Sequence, residues 1–125
     1  AGLFGNSLDV AKLMQLFLQK GTYGNEIFFS SNMFDEFNKC HFCDYNVRRG
    51  IGFDKPEIDD SDTITCDCVS DESYGHSGFT GTYAWADPES QLVYVFLSNR
   101  TFPTMENRKL IENNIRTDLK KIIFN

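Results

Sequence analysis

The chain has 125 residues, a formal net charge of −6 and 41% hydrophobic residues, and twelve of its residues are Phe. A chain of this length forms one domain or part of one, and its aromatic content is enough for a packed core. The acidic balance argues against nucleic acid and against an anionic membrane surface as partners, because both bind basic faces. No apolar run approaches the roughly 20 residues that a membrane-spanning helix needs.

Two helices are predicted in the first third of the chain. Apolar residues recur at helical spacing over residues 8–19, and Gly21 follows them as a helix stop. Residues 26–29 are predicted as a short extended piece, and residues 32–39 as a second, shorter helix with Phe anchors. The first helix is interpreted as core-facing, since nothing on it indicates a ligand site.

The clearest strand pattern lies in the second half of the chain. Residues 80–85 alternate and are rich in Thr, Tyr and Trp, which favour strands. Residues 86–90 form a turn that contains Pro, and residues 92–97 are continuously apolar, which is typical of a central strand covered on both faces. The pattern predicts an antiparallel hairpin, followed by one helix over residues 104–124.

Together these segments predict an α+β fold. An antiparallel sheet of about three strands carries the C-terminal helix on one face, with the two N-terminal helices nearby. The irregular middle of the chain, residues 40–70, contains an acidic loop and all four cysteines. Within it, residues 50–53 are a candidate for a further short strand.

The cysteines occur as two close pairs, Cys40 with Cys43 and Cys66 with Cys68. Two such pairs, brought together by a loop, can give four thiolates to a structural zinc ion, with His41 as a substitute ligand. Two disulfides between the pairs are the alternative, because a bond from Cys66 to Cys68 would be strained, and free thiols are the third. In each case the role is interpreted as structural.

The β segment opens with a stretch that has the composition of an active site, Gly-His-Ser-Gly-Phe at residues 75–79. It nearly matches the nucleophile elbow G-x-S-x-G, but its fifth position is Phe79, and residues 80–85 continue as strand where the elbow requires a helix. In a simpler interpretation, the glycines are bends or bulges of an edge strand and His76 has no role.

With its flanks, this stretch resembles the C-terminal half of the serine β-lactamase and penicillin-binding-protein-like hydrolases. The likeness is closer to the branch of class C β-lactamases, esterases and D-aminopeptidases. The residues that carry it are His76-Ser77-Gly78, Phe79-Thr80-Gly81-Thr82, Trp85, Asp87-Pro88 and Leu97-Ser98-Asn99-Arg100. The opening, residues 1–14 and 21–31, is also similar to that family. The resemblance therefore makes residues 1–125 the C-terminal portion of a β-lactamase-like domain, with residues 40–70 as a cysteine-containing insert.

The resemblance implies roles for four consecutive residues that line the cleft in this family. His76 takes the basic position of the Lys/His-Ser/Thr-Gly motif, and such a histidine would make activity depend on pH near neutrality. Ser77 offers a hydroxyl to the substrate or to the proton relay, and Gly78 lets the substrate lie against the strand. The backbone N–H of Phe79 would be one of the two oxyanion-hole donors.

The nucleophile of the family lies in a Ser-x-x-Lys motif, which this chain does not contain. The resemblance thus implies a fragment of a longer bacterial hydrolase, exported to the periplasm or cell envelope and inactive on its own. Its partners would be the N-terminal remainder of the parent and a small-molecule or peptide substrate with an amide or ester bond. Exposed core surface would favour a homodimer of the isolated chain. The alternative is a zinc-stabilised binding module without catalysis.

Overall fold

The computed structural model describes residues 2–56 and 68–124. In chain order its elements are α1 (Ser7–Leu18), β1 (Thr22–Tyr23), β2 (Glu26–Ile27), α2 (Ser31–Asn38), a 3-10 turn (Cys43–Tyr45), β3 (Tyr74–Ser77), β4 (Tyr83–Asp87), β5 (Leu92–Phe96), α3 (Lys109–Glu112) and α4 (Ile115–Phe124). In these ranges the strands form a β1–β2 hairpin and an antiparallel sheet in the order β3-β4-β5. The predicted α+β fold with a three-stranded antiparallel sheet is confirmed.

The sheet separates two apolar clusters, because neighbouring side chains of a strand point to opposite faces. On one face, Ala86 of β4 packs with Met14 of α1. On the other, Tyr83 and Trp85 of β4 pack with Phe124 of α4. Since α1 contacts β4 and β5 while α4 contacts β5, each face of the sheet is covered by a helix.

The predicted central position of the most apolar strand is wrong. In the described sheet β5 is an edge strand, and β4 lies in the centre. The apolar run nevertheless has a physical reason, because Val93 packs in the cluster on the α1 face and Tyr94 in the cluster on the α4 face. A continuous apolar pattern therefore reports cover on both faces, and it does not report position within the sheet.

The predicted single helix over residues 104–124 is also wrong. The segment folds as α3 and α4, and they are separated at Asn114, whose φ of 49° belongs to the left-handed region. Thr104 lies in a turn before α3, where its hydroxyl accepts a hydrogen bond from the N–H of Glu106 at 3.3 Å. The apolar periodicity of the sequence runs through residue 114 without interruption, so it predicts one continuous helix. Asn tolerates the left-handed conformation better than most residues, and at this position it ends the helix without changing the apolar pattern.

The two-residue turn between β1 and β2 follows from its sequence. Gly24 and Asn25 have φ values of 58° and 70°, and a tight hairpin turn of this kind requires positive φ at both central residues. Gly21, with a φ of 97°, ends the segment after α1 as predicted.

The helices in the described ranges are short. The longest of them, α1, has 12 residues. Among residues 2–56 and 68–124, no helix combines the length and the apolar character that crossing a membrane requires.

We expect the start of α1 to depend on Asn6. Its side-chain oxygen accepts a hydrogen bond from the N–H of Asp9 at 3.0 Å, so replacement with Ala should lower the free energy of unfolding by about 1 kcal/mol. Asn6→Ser keeps an acceptor at this position and should recover most of the loss. Urea unfolding followed by circular dichroism measures both variants, and an equal loss in the two would contradict the capping role.

Candidate active site

The His-Ser-Gly stretch lies along β3, at the outer edge of the three-stranded sheet. The inner edge of β3 pairs with β4 over its whole length. On the outer edge, Gly75 exchanges two backbone hydrogen bonds with Asp54, at 2.7 and 3.1 Å. Because the direction of hydrogen bonding alternates along an antiparallel strand, the backbone of Ser77 faces the same outer edge. In the described part of the chain this position has no strand beside it, so a ligand backbone can pair there.

His76 is exposed and contacts a residue that the sequence did not point to. Nη2 of Arg49 lies 3.1 Å from Nε2 of His76, and Nε of Arg49 lies 3.2 Å from Oδ1 of Asp54. A guanidinium group only donates, so this contact is a hydrogen bond in the tautomer whose Nε2 accepts and whose proton is on Nδ1. The positive charge beside β3 is therefore on Arg49 in this arrangement, and His76 has its Nδ1–H left to donate.

A tight turn holds Arg49 beside β3. Residues 50–53, which were a candidate strand, are instead the turn within an isolated antiparallel bridge between Arg49 and Asp54. Gly52 has a φ of 100°, a conformation that side chains rarely adopt. The contact from Arg49 to His76 spans 27 residues and depends on this turn, so no local pattern could have revealed it.

Ser77 lies on the opposite face of the sheet from His76, since the two residues are neighbours in a strand. It opens into a cavity of about 220 Å³ that Gly78 and Phe79 also line. Three of the four predicted site residues therefore meet at one cavity. His76 lies outside it, on the face that carries Arg49.

Two arginines from the C-terminal part of the chain complete the lining of this cavity. The guanidinium of Arg100 lies 4.8 Å from the ring centre of Phe79, and its Nη1 donates to the carbonyl of Asn107 at 3.1 Å. Nη1 of Arg116 donates to the carbonyl of Gly81 at 3.4 Å. The two cations make the cavity suited to an anionic ligand or to developing negative charge. Arg116 was not predicted, because the pattern of α4 indicates only its apolar stripe.

The backbone at Gly78 and Phe79 begins the turn from β3 to β4. The N–H of Gly78 donates to the carbonyl of Thr82 at 2.8 Å, and the Thr82 hydroxyl occupies the space that a Cβ at Gly78 would need. Within the described ranges the N–H of Phe79 has no acceptor. An unpaired N–H beside an electropositive cavity is the arrangement that an oxyanion hole requires.

The cysteine pairs differ from the prediction in one respect. Cys40 and Cys43 bond to each other, so the predicted disulfides between the pairs are wrong for these two residues. The C-x-x-C spacing brings their Cα atoms to 5.6 Å, which is inside the ordinary range for a disulfide. Cys68 is also disulfide-bonded, and Cys66 lies outside the described residues.

The predicted zinc site is not tested by this structure. Among residues 2–56 and 68–124, no group of three or more His, Cys, Asp and Glu residues is placed to hold a metal ion. A zinc ion bound by four thiolates would require the bond between Cys40 and Cys43 to be reduced. The site stays a prediction.

Comparisons with known proteins cover almost the whole chain. A family model described as Beta-lactamase matches residues 1–118. Proteins of Salmonella agona, Salmonella gallinarum and Salmonella typhi, each named "Putative D-alanyl-D-alanine carboxypeptidase", are 34% identical to this chain over 114 residues. The matches take in 90% of the chain but 26% of each relative, so the chain spans about a quarter of the length of these curated relatives.

Proposed function

Because the chain belongs to the β-lactamase family, we propose that it forms one wall of the catalytic cleft of a serine hydrolase that cleaves amides or esters through an acyl-enzyme. The observation that carries the proposal is the outer edge of β3. There an unpaired backbone, the Ser77 hydroxyl and the free N–H of Phe79 adjoin an electropositive cavity. This combination suits a substrate that lies along the strand and develops negative charge at its carbonyl oxygen.

Each site residue has a distinct role in this proposal. The N–H of Phe79 is one oxyanion-hole donor, and the loss of one such donor costs about 100- to 1,000-fold in rate in serine hydrolases. Ser77 donates its hydroxyl to the bound substrate and does not attack it. Gly78 keeps the turn close to Thr82, so that the Phe79 amide stays in place. His76 provides a ring N–H donor at the edge of the cleft, and Arg49 beside it provides a fixed cation.

The nucleophile and its base come from elsewhere in this proposal. The chain has no Ser-x-x-Lys motif, and it spans about a quarter of its Salmonella relatives. We therefore assign the nucleophile to a longer polypeptide of which this chain is the C-terminal portion, located in the bacterial cell envelope. Exposed apolar side chains such as Phe4, Ile27 and Phe28 support this assignment, because the remainder of the protein would cover them. The same surface would favour self-association of the isolated chain. The name of the Salmonella relatives makes a peptide ending in D-alanine the substrate class to test first.

A fluorescent penicillin tests the assignment of the nucleophile. We expect it to label the full-length protein covalently and to leave the isolated 125-residue chain unlabelled. Full-length Ser77→Ala should still be labelled, more slowly, because the hydroxyl only assists. Labelling of the isolated chain at Ser77 would overturn the assigned roles.

Turnover of a p-nitrophenyl ester and of a D-alanyl peptide tests the hydrolase function itself. We expect the full-length protein to hydrolyse at least one of them. If it hydrolyses neither and takes no penicillin label, the alternative of a binding module without catalysis would be favoured.

A further inference from the structure

We propose that Cys40 and Cys43 form a thiol–disulfide exchange site, in which a low-molecular-weight thiol attacks Cys40 and Arg48 stabilises Cys43 as the leaving thiolate. This site lies outside the cavity at Ser77 and does not depend on the proposed hydrolase function. It gives chemistry to the cysteine-containing middle of the chain, which the proposed hydrolase function does not use.

The first observation is a cation held against one sulfur of the pair. Nη1 of Arg48 lies 2.9 Å from Sγ of Cys43. The same guanidinium is fixed on its other side, since Nε donates to the carbonyl of Pro56 at 2.6 Å. A cation in contact with a sulfur favours its thiolate, and the more stable thiolate leaves faster in exchange. The two sulfurs are therefore not equivalent, and Cys43 is the better leaving group.

The second observation is access to the other sulfur. Cys40 lines a groove of about 670 Å³, which Arg48 also lines. Both cysteines are partly exposed, at the end of α2 and the start of the 3-10 turn. An incoming thiol therefore reaches Cys40 from the groove while Cys43 remains against Arg48.

The C-x-x-C spacing suits repeated opening and closing of this bond. The ring closed by the disulfide contains only the residues between Cys40 and Cys43. The guanidinium of Arg48 is anchored at the carbonyl of Pro56, outside that ring, so its position does not depend on the S–S bond. After reduction the cation stays where the new thiolate forms.

The exchange balances in two steps. The thiolate of the external thiol attacks Sγ of Cys40, the bond to Cys43 breaks, and its electron pair remains on Cys43 as a thiolate beside Arg48. A second external thiolate attacks the mixed disulfide at the external sulfur, so Cys40 leaves as a thiolate and the two external thiols depart joined as a disulfide. Two electrons pass to the cysteine pair, and the reverse steps oxidise two thiols.

The test follows the reduction of this bond in the full-length protein. Oxidised protein is treated with reduced glutathione in the presence of EDTA, quenched in acid, alkylated and analysed by peptide-resolved mass spectrometry. We expect the bond to open while circular dichroism stays native, and the glutathione adduct to occur on Cys40. An adduct on Cys43, or reduction only after unfolding, would overturn the proposal in favour of a structural disulfide.

Variants of the arginine test the second half of the mechanism. Arg48→Gln should exchange about tenfold more slowly than the wild type, because the leaving thiolate loses its cation. Arg48→Lys keeps the charge and should lie between the two, which separates the charge from any loss of packing. Arg108→Gln removes a positive charge from an exposed i, i+4 pair with Glu112 and should exchange at the wild-type rate. A rate for Arg48→Gln equal to that of this control contradicts the role of Arg48.

Discussion

Replacing Asp87 with Ala should lower the free energy of unfolding by about 3 kcal/mol, because it removes a buried acceptor whose donors then lose their partner. The residue is 2% exposed at the end of β4. Its carboxylate accepts from the hydroxyl of Ser70 at 2.6 Å, from the N–H of Ser70 at 3.0 Å and from the N–H of Glu89 at 2.9 Å. These bonds join the segment that enters β3 to the turn between β4 and β5. Urea unfolding of the full-length protein measures the loss.

The contribution of Asp87 should also depend on pH in a defined direction. Burial alone would raise the pKa of Asp87, but hydrogen bonds from Ser70, Glu89 and Ser90 outweigh burial and hold the pKa below its ordinary value of 3.8. The carboxylate therefore stabilises the fold fully above that value and loses its contribution as the pH falls through the lowered pKa. The difference in unfolding free energy between wild type and Asp87→Asn should be constant from about pH 5 to pH 7 and shrink below about pH 4.

A surface aspartate provides the matched control for this prediction. Asp71 is exposed in the same segment as Ser70, so Asp71→Asn should change the free energy of unfolding by less than about 0.5 kcal/mol. If Asp71→Asn and Asp87→Asn gave the same pH dependence, the effect would come from net charge, and the hydrogen bonds of Asp87 would not explain it.

The parts of the fold that the sequence predicted are those determined by neighbours along the chain. The spacing of apolar residues in α1, the helix stop at Gly21 and the strand-forming residues of β4 each act within a few residues. The order of the strands, in contrast, depends on contacts between residues that are far apart in the chain. A helix on each face of β5 produced the same apolar run as a central position would, so the pattern could not distinguish the two. At Asn114 one residue with positive φ divided a helix that the periodicity showed as continuous.

In the candidate site too, the features that are local in the sequence were predicted and the long-range contacts were not. The stretch from His76 to Phe79 was recognised because its residues are consecutive and resemble a family motif. Arg49 and Arg116 were not, since their contacts with His76 and Gly81 span 27 and 35 residues. The strain of a bond between Cys66 and Cys68 favours disulfides between the pairs, but the spacing of Cys40 and Cys43 also suits a bond within the first pair, which is the bond that forms. Contacts that depend on a turn or on tertiary packing carry no local signal.

The contact between Arg49 and His76 should matter for catalysis more than its exposure suggests. Arg49→Met keeps the length of the side chain but removes its donors, so Nε2 of His76 loses its hydrogen bond and the cleft loses a cation. A hydrogen bond to a charged group contributes about 1.5–3 kcal/mol, and a loss of that size in transition-state stabilisation corresponds to a fall in kcat/KM of about 10- to 150-fold in the full-length protein. Arg49→Lys should retain part of the activity, because it keeps the charge without the fork that reaches both Asp54 and His76.

The ring of His76 reports this contact without any measurement of activity. Long-range nitrogen–proton NMR of the full-length protein should show His76 as the neutral tautomer with its proton on Nδ1, because the guanidinium donates to Nε2 at 3.1 Å. In Arg49→Met the proton is free to move to Nε2, and the nitrogen shifts should change accordingly. An unchanged tautomer would mean that Arg49 does not position the ring, whatever happens to the rate.

A double-mutant cycle then decides whether the two residues act as one unit. If Arg49 acts through the ring, His76→Ala should lower kcat/KM by about as much as Arg49→Met, and the double variant should be little worse than either. Additive losses would instead mean that the guanidinium contacts the substrate directly.

Asp54→Asn tests the other side of the guanidinium fork. It removes the ion pair with Arg49 while His76 keeps its partner, so its kcat/KM should fall between those of wild type and Arg49→Met. The backbone of Asp54 also bonds to Gly75 at the edge of β3. Because Asp54→Asn changes only the side chain, it removes the ion pair with Arg49 and leaves these backbone bonds intact.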